Sequence, residues 1–252
     1  MTSETQEKQE KEDEHAKIQK IYDHTRIITH REQRLKVNFL LLVYWFPAYI
    51  YDYWLQFPSF DGVHVFSDFL SNWGSTIILL HLIFSLIMDL VPDEDRANLK
   101  KYHNKFTQIA VVQAFIVSAL FWGLLGDRFD WQSIHEHAIN VLVTMTSYFV
   151  SEVRFRKRDC FIFYAYGWAY MANTYWAYLR NRDSIYTILS WGETDAPSTF
   201  PLTTFQLAFV SIFGAASVLH GLMYVIDRIR WLVYERAEKR NRLQLAMAKM
   251  GS

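Results

Sequence analysis

Cysteine is nearly missing from this 252-residue chain: Cys160 stands alone. That excludes an intrachain disulfide and any multi-cysteine metal site, and leaves the redox compartment open. Proline and glycine are sparse, at five and nine residues, which favours one compact helical domain over several loop-linked ones. Charge of one sign is lacking as well. The 26 Lys and Arg balance 26 Asp and Glu, so nothing in the charge points to nucleic acid. An early apolar core is missing too: residues 1–13 are polar and rich in Glu, unlike a secretory leader or a mitochondrial presequence, and are expected to be disordered.

What the chain has in quantity is apolar length. Hydrophobic residues make up 51% of the sequence and aromatics 17%. Mean hydropathy still sits near zero, because charges crowd into the first 36 residues, the short loops and the tail after Asp227. Six stretches approach the ~20 residues a helix needs to cross a bilayer: residues 37–57, 69–91, 106–126, 133–153, 160–179 and 205–226. The expected fold is therefore all-α, an integral membrane bundle of six transmembrane helices over residues 37–226. Residues 1–36 precede it as a disordered then amphipathic segment, and 227–252 follow as a charged helical tail that either extends the last span or folds back on the membrane surface. Pro47 is an expected kink in the first span, and Asp52 an unusual acid near its far end.

Loop charge supplies an independent orientation, since Lys and Arg accumulate where loops are not translocated. Arg26, Arg31, Arg34 and Lys36 precede the first span; Arg96, Lys100, Lys101 and Lys105 fall between the second and third. Arg154, Arg156, Lys157 and Arg158 fall between the fourth and fifth, and a run from Arg228 to Arg242 follows the sixth. The alternate loops hold only Arg128, Arg180 and Arg182. Both termini are expected on the cytoplasmic side, or the matrix side of an inner mitochondrial membrane. The endoplasmic reticulum, plasma membrane and inner mitochondrial membrane all remain open.

The fourth span is the most informative. Ser133, His137, Asn140, Thr144, Ser147 and Ser151 recur at steps of four and three, a single helical face of polar groups beside Ile139, Val141, Leu142 and Val143. Such groups at membrane depth face a bundle interior or a cavity, and Ser and Thr also serve simply as packing residues between helices. The second span carries its own line, Ser71, Ser75, Ser85 and Asp89, with His81 near it. Because both spans run in the same direction, Asp68, Ser71 and Asn72 share an outer layer with His135, His137 and Asn140, joined by Tyr186, Trp191 and Glu193 after the fifth span. In an enzyme, Ser71 would need His137 or His135 as its base, with Asp68 or Glu136 orienting the ring. Glu136 is expected to point away from His137 on a regular helix. The bland alternative for each histidine is an interfacial residue satisfied by a neighbour or water. His81 and His220 lie in different spans without metal-ligand spacing, and the aromatic fifth span reads as packing and interfacial belt. No cofactor or metal is expected.

Three landmarks resemble the rolling stone and androgen-induced family of six-span membrane proteins: DFLSNWG at Asp68 to Gly74, HAINVLV at His137 to Val143, and IYTILSWGE at Ile185 to Glu193. The resemblance runs from about Arg34 to Val233. It implies an intramembrane hydrolase of fatty acid esters of hydroxy fatty acids, using a threonine and a histidine. The nucleophile position matches Ser71, whereas the catalytic histidine position holds Asn140, with His137 at the first histidine of the family's pair. Asparagine is no general base, and Asn here is typical of the rolling stone branch. The expected function is thus a non-catalytic interaction or accessory component with a vestigial lipid cavity walled by Asn72, His135, Thr144, Tyr186 and Trp191. Its expected partners are membrane lipid and, through the two tails, membrane proteins. The alternative is a lipid-ester hydrolase using Ser71 with His137. A transporter ranks third, because no broken glycine-rich helix pair is evident.

Overall fold

The computed structural model describes residues 30–54, 66–125, 131–181, 206 and 209–250. Among these the regular structure is all helical, without a strand. Helix α1 occupies residues 30–54. A 3-10 turn, Phe66–Asp68, leads into α2, Leu70–Leu90. Helix α3, Asp93–Leu120, ends in a π-helical turn, Phe121–Leu125. Helix α4 joins Trp131–Ile134, a π-helical turn His135–Ile139, and Asn140–Val150. Helix α5 is Cys160–Asn181, and α6 starts as a π-helical turn, Val210–Ala215, and continues as Ala216–Met250.

Three of these helices are long and apolar enough to cross a membrane: Leu70–Leu90, Glu94–Gly123 and Ile212–Arg236. The surface agrees, with large apolar side chains facing outward while polar ones are buried beside the apolar core. Leu142, Phe161, Trp176, Val218 and Leu222 are exposed, while Asn38, His81, Thr107, Gln108, Thr144 and Ser147 are buried. Water would reverse that arrangement, since exposed apolar area is unfavourable there and buried polar groups must find partners inside.

Helix α3 is the central post, packed against α2, α4, α5 and α6. Around it Val111 and Val112 meet Tyr148 of α4, Phe163 of α5 and Met223 of α6. A second apolar cluster joins Trp45 of α1 to Ile78, Leu79 and Leu82 of α2 and Val143 of α4. Helices α5 and α6 approach closely where Gly167 faces Ile212: a Cβ on residue 167 would lie 2.7 Å from Ile212 Cγ1. Glycine there lets the two backbones approach as small residues do in membrane helix pairs.

One boundary differs from the sequence expectation, and one alternative left open there is decided. Helix α3 begins at Asp93, directly after Pro92, so Arg96, Lys100, Lys101 and Lys105 ride on its first turns instead of in a loop. The acids of Asp93-Glu94-Asp95 favour a helix N-terminus electrostatically, which explains the early start. The tail extends α6 without a break to Met250, so of the two alternatives for it, extension is the one adopted.

Candidate functional site

The basic residues of α1, α3, the α4–α5 connection and α6 gather at one end of the bundle, here the basic end. The described residues of the family resemblance, Asp68 to Gly74 and His137 to Val143, lie toward the opposite end. There two π-helical turns meet: the His137 ring of α4 stacks on Phe121 of α3, centroids 3.6 Å apart and 11° from parallel. A π turn pairs each amide with the fifth preceding carbonyl and disturbs the regular ladder, as commonly happens at functional sites. Side chains bind the carbonyls here. Asn140 Nδ2 donates to Glu136 O at 2.8 Å, and Ser118 Oγ donates to His137 O. Asn140 Oδ1 lies 3.3 Å from the same Ser118 hydroxyl. At the position where the resemblance puts a catalytic histidine, Asn140 therefore fastens α4 to α3 and braces the widened turn.

His135 stacks on Trp45, centroids 4.9 Å apart, and places Nδ1 3.3 Å from Asp52 Oδ2. Sequence reasoning marked Asp52 as unusual without finding this partner; the signal was an acid and a histidine at matching depth in antiparallel spans. Glu136, expected to point away, has a carboxylate oxygen 3.8 Å from His137 Nε2. Ser71 is half-buried in the first turn of α2, and among the described residues its hydroxyl makes no hydrogen bond with His137 or His135. Asn72 donates from Nδ2 to Phe66 O at 2.8 Å, bracing the turn before α2. Asp68 pairs with Arg180 of α5, and Tyr170 Oη donates to its carbonyl at 3.0 Å. Thr144 donates to Asn140 O at 2.8 Å. Tyr186, Trp191 and Glu193 lie outside the described residues.

The deeper part of the two polar lines does converge. His81 of α2, fully buried, places Nε2 2.9 Å from Ser147 Oγ of α4 and Nδ1 3.1 Å from Thr107 Oγ1 of α3. Ser147 donates its one proton to Asn38 Oδ1 of α1 at 2.7 Å. Its lone pair therefore takes the His81 Nε2–H, which leaves Nδ1 as acceptor. Ser85 donates to His81 O at 2.8 Å and sits 2.9 Å from His103 Nε2 and 3.4 Å from His81 Nδ1. By the same reasoning His103 donates from Nε2. Four helices are joined by this chain, and His81 was noted in the sequence only as a lone histidine near a serine line.

His103 and Ser85 also line a cavity of about 270 Å³ at the basic end, with Arg34, Asn38, Asp89, Arg96, Lys100 and Glu152. Arg34 bridges two carboxylates, Asp89 at 3.0 Å and Glu152 at 2.6 Å; Arg96 reaches Asp89 at 3.2 Å and Lys100 reaches Glu152 at 3.3 Å. Burial pulls the Glu152 carboxyl upward, but the charges of Arg34 and Lys100 outweigh it and hold the group below its ordinary range. Among the described residues no group of three or more His, Cys, Asp or Glu is placed to hold a metal ion.

No family model, curated protein or solved structure matches this chain.

Proposed function

We propose that the protein is a six-span membrane protein with both termini on the cytoplasmic or matrix side, acting as a non-catalytic interaction or accessory component of the rolling stone and androgen-induced type. The observation that carries the non-catalytic part is the use made of Asn140, whose amide is committed to Glu136 O and Ser118, while Ser71 has no histidine within hydrogen-bonding reach among the described residues. Nucleophile and base must touch, directly or through one water, for the hydroxyl to be activated. The outer cavity is then a vestige, its polar wall closed onto backbone carbonyls.

Three further helices support the count of six. Helix α1 exposes Phe39, Leu40, Val43, Phe46 and Ile50 as a lipid-facing helix does. Helix α4 is 20 residues long once its π turn is included, enough to span. Helix α5 owes its modest hydropathy to Tyr and Trp, residues common at membrane interfaces. The basic end then faces the cytoplasm or matrix.

Two measurements test this reading. A serine-reactive fluorophosphonate applied to membranes holding the full chain should give no label that Ser71→Ala removes; such a label would establish the hydrolase instead. Epitope tags at the two termini should become accessible to antibody only after sealed vesicles or mitoplasts are opened, and a tag reached in the sealed preparation would refute the orientation.

A further inference from the structure

We propose that the protein conducts protons, along a gated path whose basic-end half runs from the cavity through His103, Ser85, His81 and Ser147. This goes beyond the non-catalytic reading above, since no covalent chemistry is involved. Ionisable groups at membrane depth are costly and are normally retained for a task, and among the described residues neither His81 nor His103 holds an ion pair. Both are spent on one another's neighbours, their rings nearly parallel with centroids 6.0 Å apart.

The chemistry of the chain fits proton transfer. Imidazole and hydroxyl groups can each accept a proton at one site and release another, and the links measure 2.9, 3.4 and 2.9 Å from His103 to Ser147. A proton taken from cavity water at His103 Nδ1 releases the one on Nε2 to Ser85 Oγ. The Ser85 hydroxyl, turned away from His81 O, passes its proton to His81 Nδ1, and the Nε2 proton of His81 passes to Ser147 Oγ. His103, Ser85 and His81 each end with the number of protons they began with; hydroxyl rotation resets Ser85, and each ring returns from its Nδ1–H to its Nε2–H form by exchanging a proton with water admitted to the path.

The groups facing His81 make it a relay and not a trap. Asn38 of α1 reaches it through Ser147; Thr107 and His103 face it from α3, Ser147 from α4 and Ser85 from its own helix. None of these is a carboxylate that would hold a proton as a fixed ion pair. The nearest charges, Arg34, Arg96, Lys100, Asp89 and Glu152, stand in the cavity, already paired.

Beyond Ser147 lie Trp45, Ile78, Leu79 and Val143 of the second apolar cluster. Across it stands the second polar group, Asp52 with His135, and the His135 ring rests on Trp45 itself. An apolar cluster between two polar groups is the arrangement of a hydrophobic constriction, which gates by excluding water; the buried Thr144 and Asn140 beside it are committed to the carbonyls of Asn140 and Glu136. Movement of Trp45 would admit water between Ser147 and the Asp52–His135 pair, and the last proton crosses on that water.

The test uses the purified full chain in phosphatidylcholine vesicles loaded with pyranine, with a potassium gradient and valinomycin setting the voltage. Wild-type protein should carry protons at least about tenfold faster than protein-free vesicles, as expected of a relay across a wetted constriction. Gln in place of His81 keeps an amide donor toward Ser147 but carries no proton, so His81→Gln should fall to the protein-free rate while circular dichroism and elution remain unchanged; His103→Gln breaks the same path should the first variant misfold. Trp45→Ala, lacking the largest side chain of that cluster, should conduct faster than wild type. A wild-type rate no greater than that of protein-free vesicles overturns the proposal, as does a folded His81→Gln protein that conducts like wild type; an unchanged or slower rate in Trp45→Ala overturns the placement of the gate.

Discussion

Asp227→Ala should destabilise the protein by about 3–5 kcal/mol, the usual cost of stripping one partner from a buried charge network. The carboxylate is 1% exposed and serves three groups. It accepts from Tyr148 Oη at 2.8 Å, and faces Arg230 at 3.1 Å and Arg154 at 3.3 Å. Arg230 uses its other N–H groups on the carbonyls of Tyr148, Ser151 and Val153 and lies 4.2 Å over the Tyr148 ring, so it cannot swing out to water without dismantling the end of α4. Removal of Asp227 therefore leaves a buried cation with less compensation and a fully buried phenol without its acceptor. Asp227→Asn retains an acceptor for Tyr148 and loses only the charge, so its loss should be smaller. Thermal melting in detergent of the two variants decides the matter. Equal, small shifts for both would mean that the network contributes nothing beyond packing.

Arg34→Ala ranks second, with an expected loss on the order of 3 kcal/mol. Its guanidinium is the only group described here that touches both Asp89 of α2 and Glu152 beyond α4; without it Arg96 would remain on the Asp89 carboxylate and Arg31 on the Asp89 carbonyl. A pH signature accompanies the loss. The Glu152 carboxyl is held below its ordinary value of 4.5, so in the wild type its contribution is complete above that value and is lost as pH falls through the lowered one. Arg34→Ala removes the largest of the charges that lower it, and the acid-induced decline in melting temperature should become shallower. A decline of unchanged slope would place the acid sensitivity elsewhere.

The helical class and the polar lines were legible because both are periodic: a 3.6-residue repeat of Ser, Thr, Asn and His in an apolar background admits few other readings. Burial of Asn140, Thr144 and Ser147 follows directly from that repeat. What the repeat could not reveal was pairing across helices. His81 meets Ser147 and Thr107 because α2, α3 and α4 pack together, and no local pattern states which residues of separate helices share a depth. Asp52 and His135 could have been matched by counting inward from the chain ends, since both sit near the same bundle end. The π turns hid for a different reason: one widened turn leaves composition unchanged, and its effect on Glu136 and Asn140 appears only once the carbonyls have partners. The early start of α3 was obscured by the charge of its first turns, which reads equally as a loop until Pro92 and the acids after it are taken as a helix opening.

Helix α6 carries one further consequence. At 1.5 Å of rise per residue, the stretch from Asp227 to Met250 projects roughly 35 Å beyond the arginine-rich rim. Being a continuation of a helix long and apolar enough to cross a membrane and not a tethered string, it acts as a lever: a tilt of about 5° at its root sweeps its tip by about 3 Å, on that same length. Small rearrangements among the packed helices would thus be magnified at the far end of the tail.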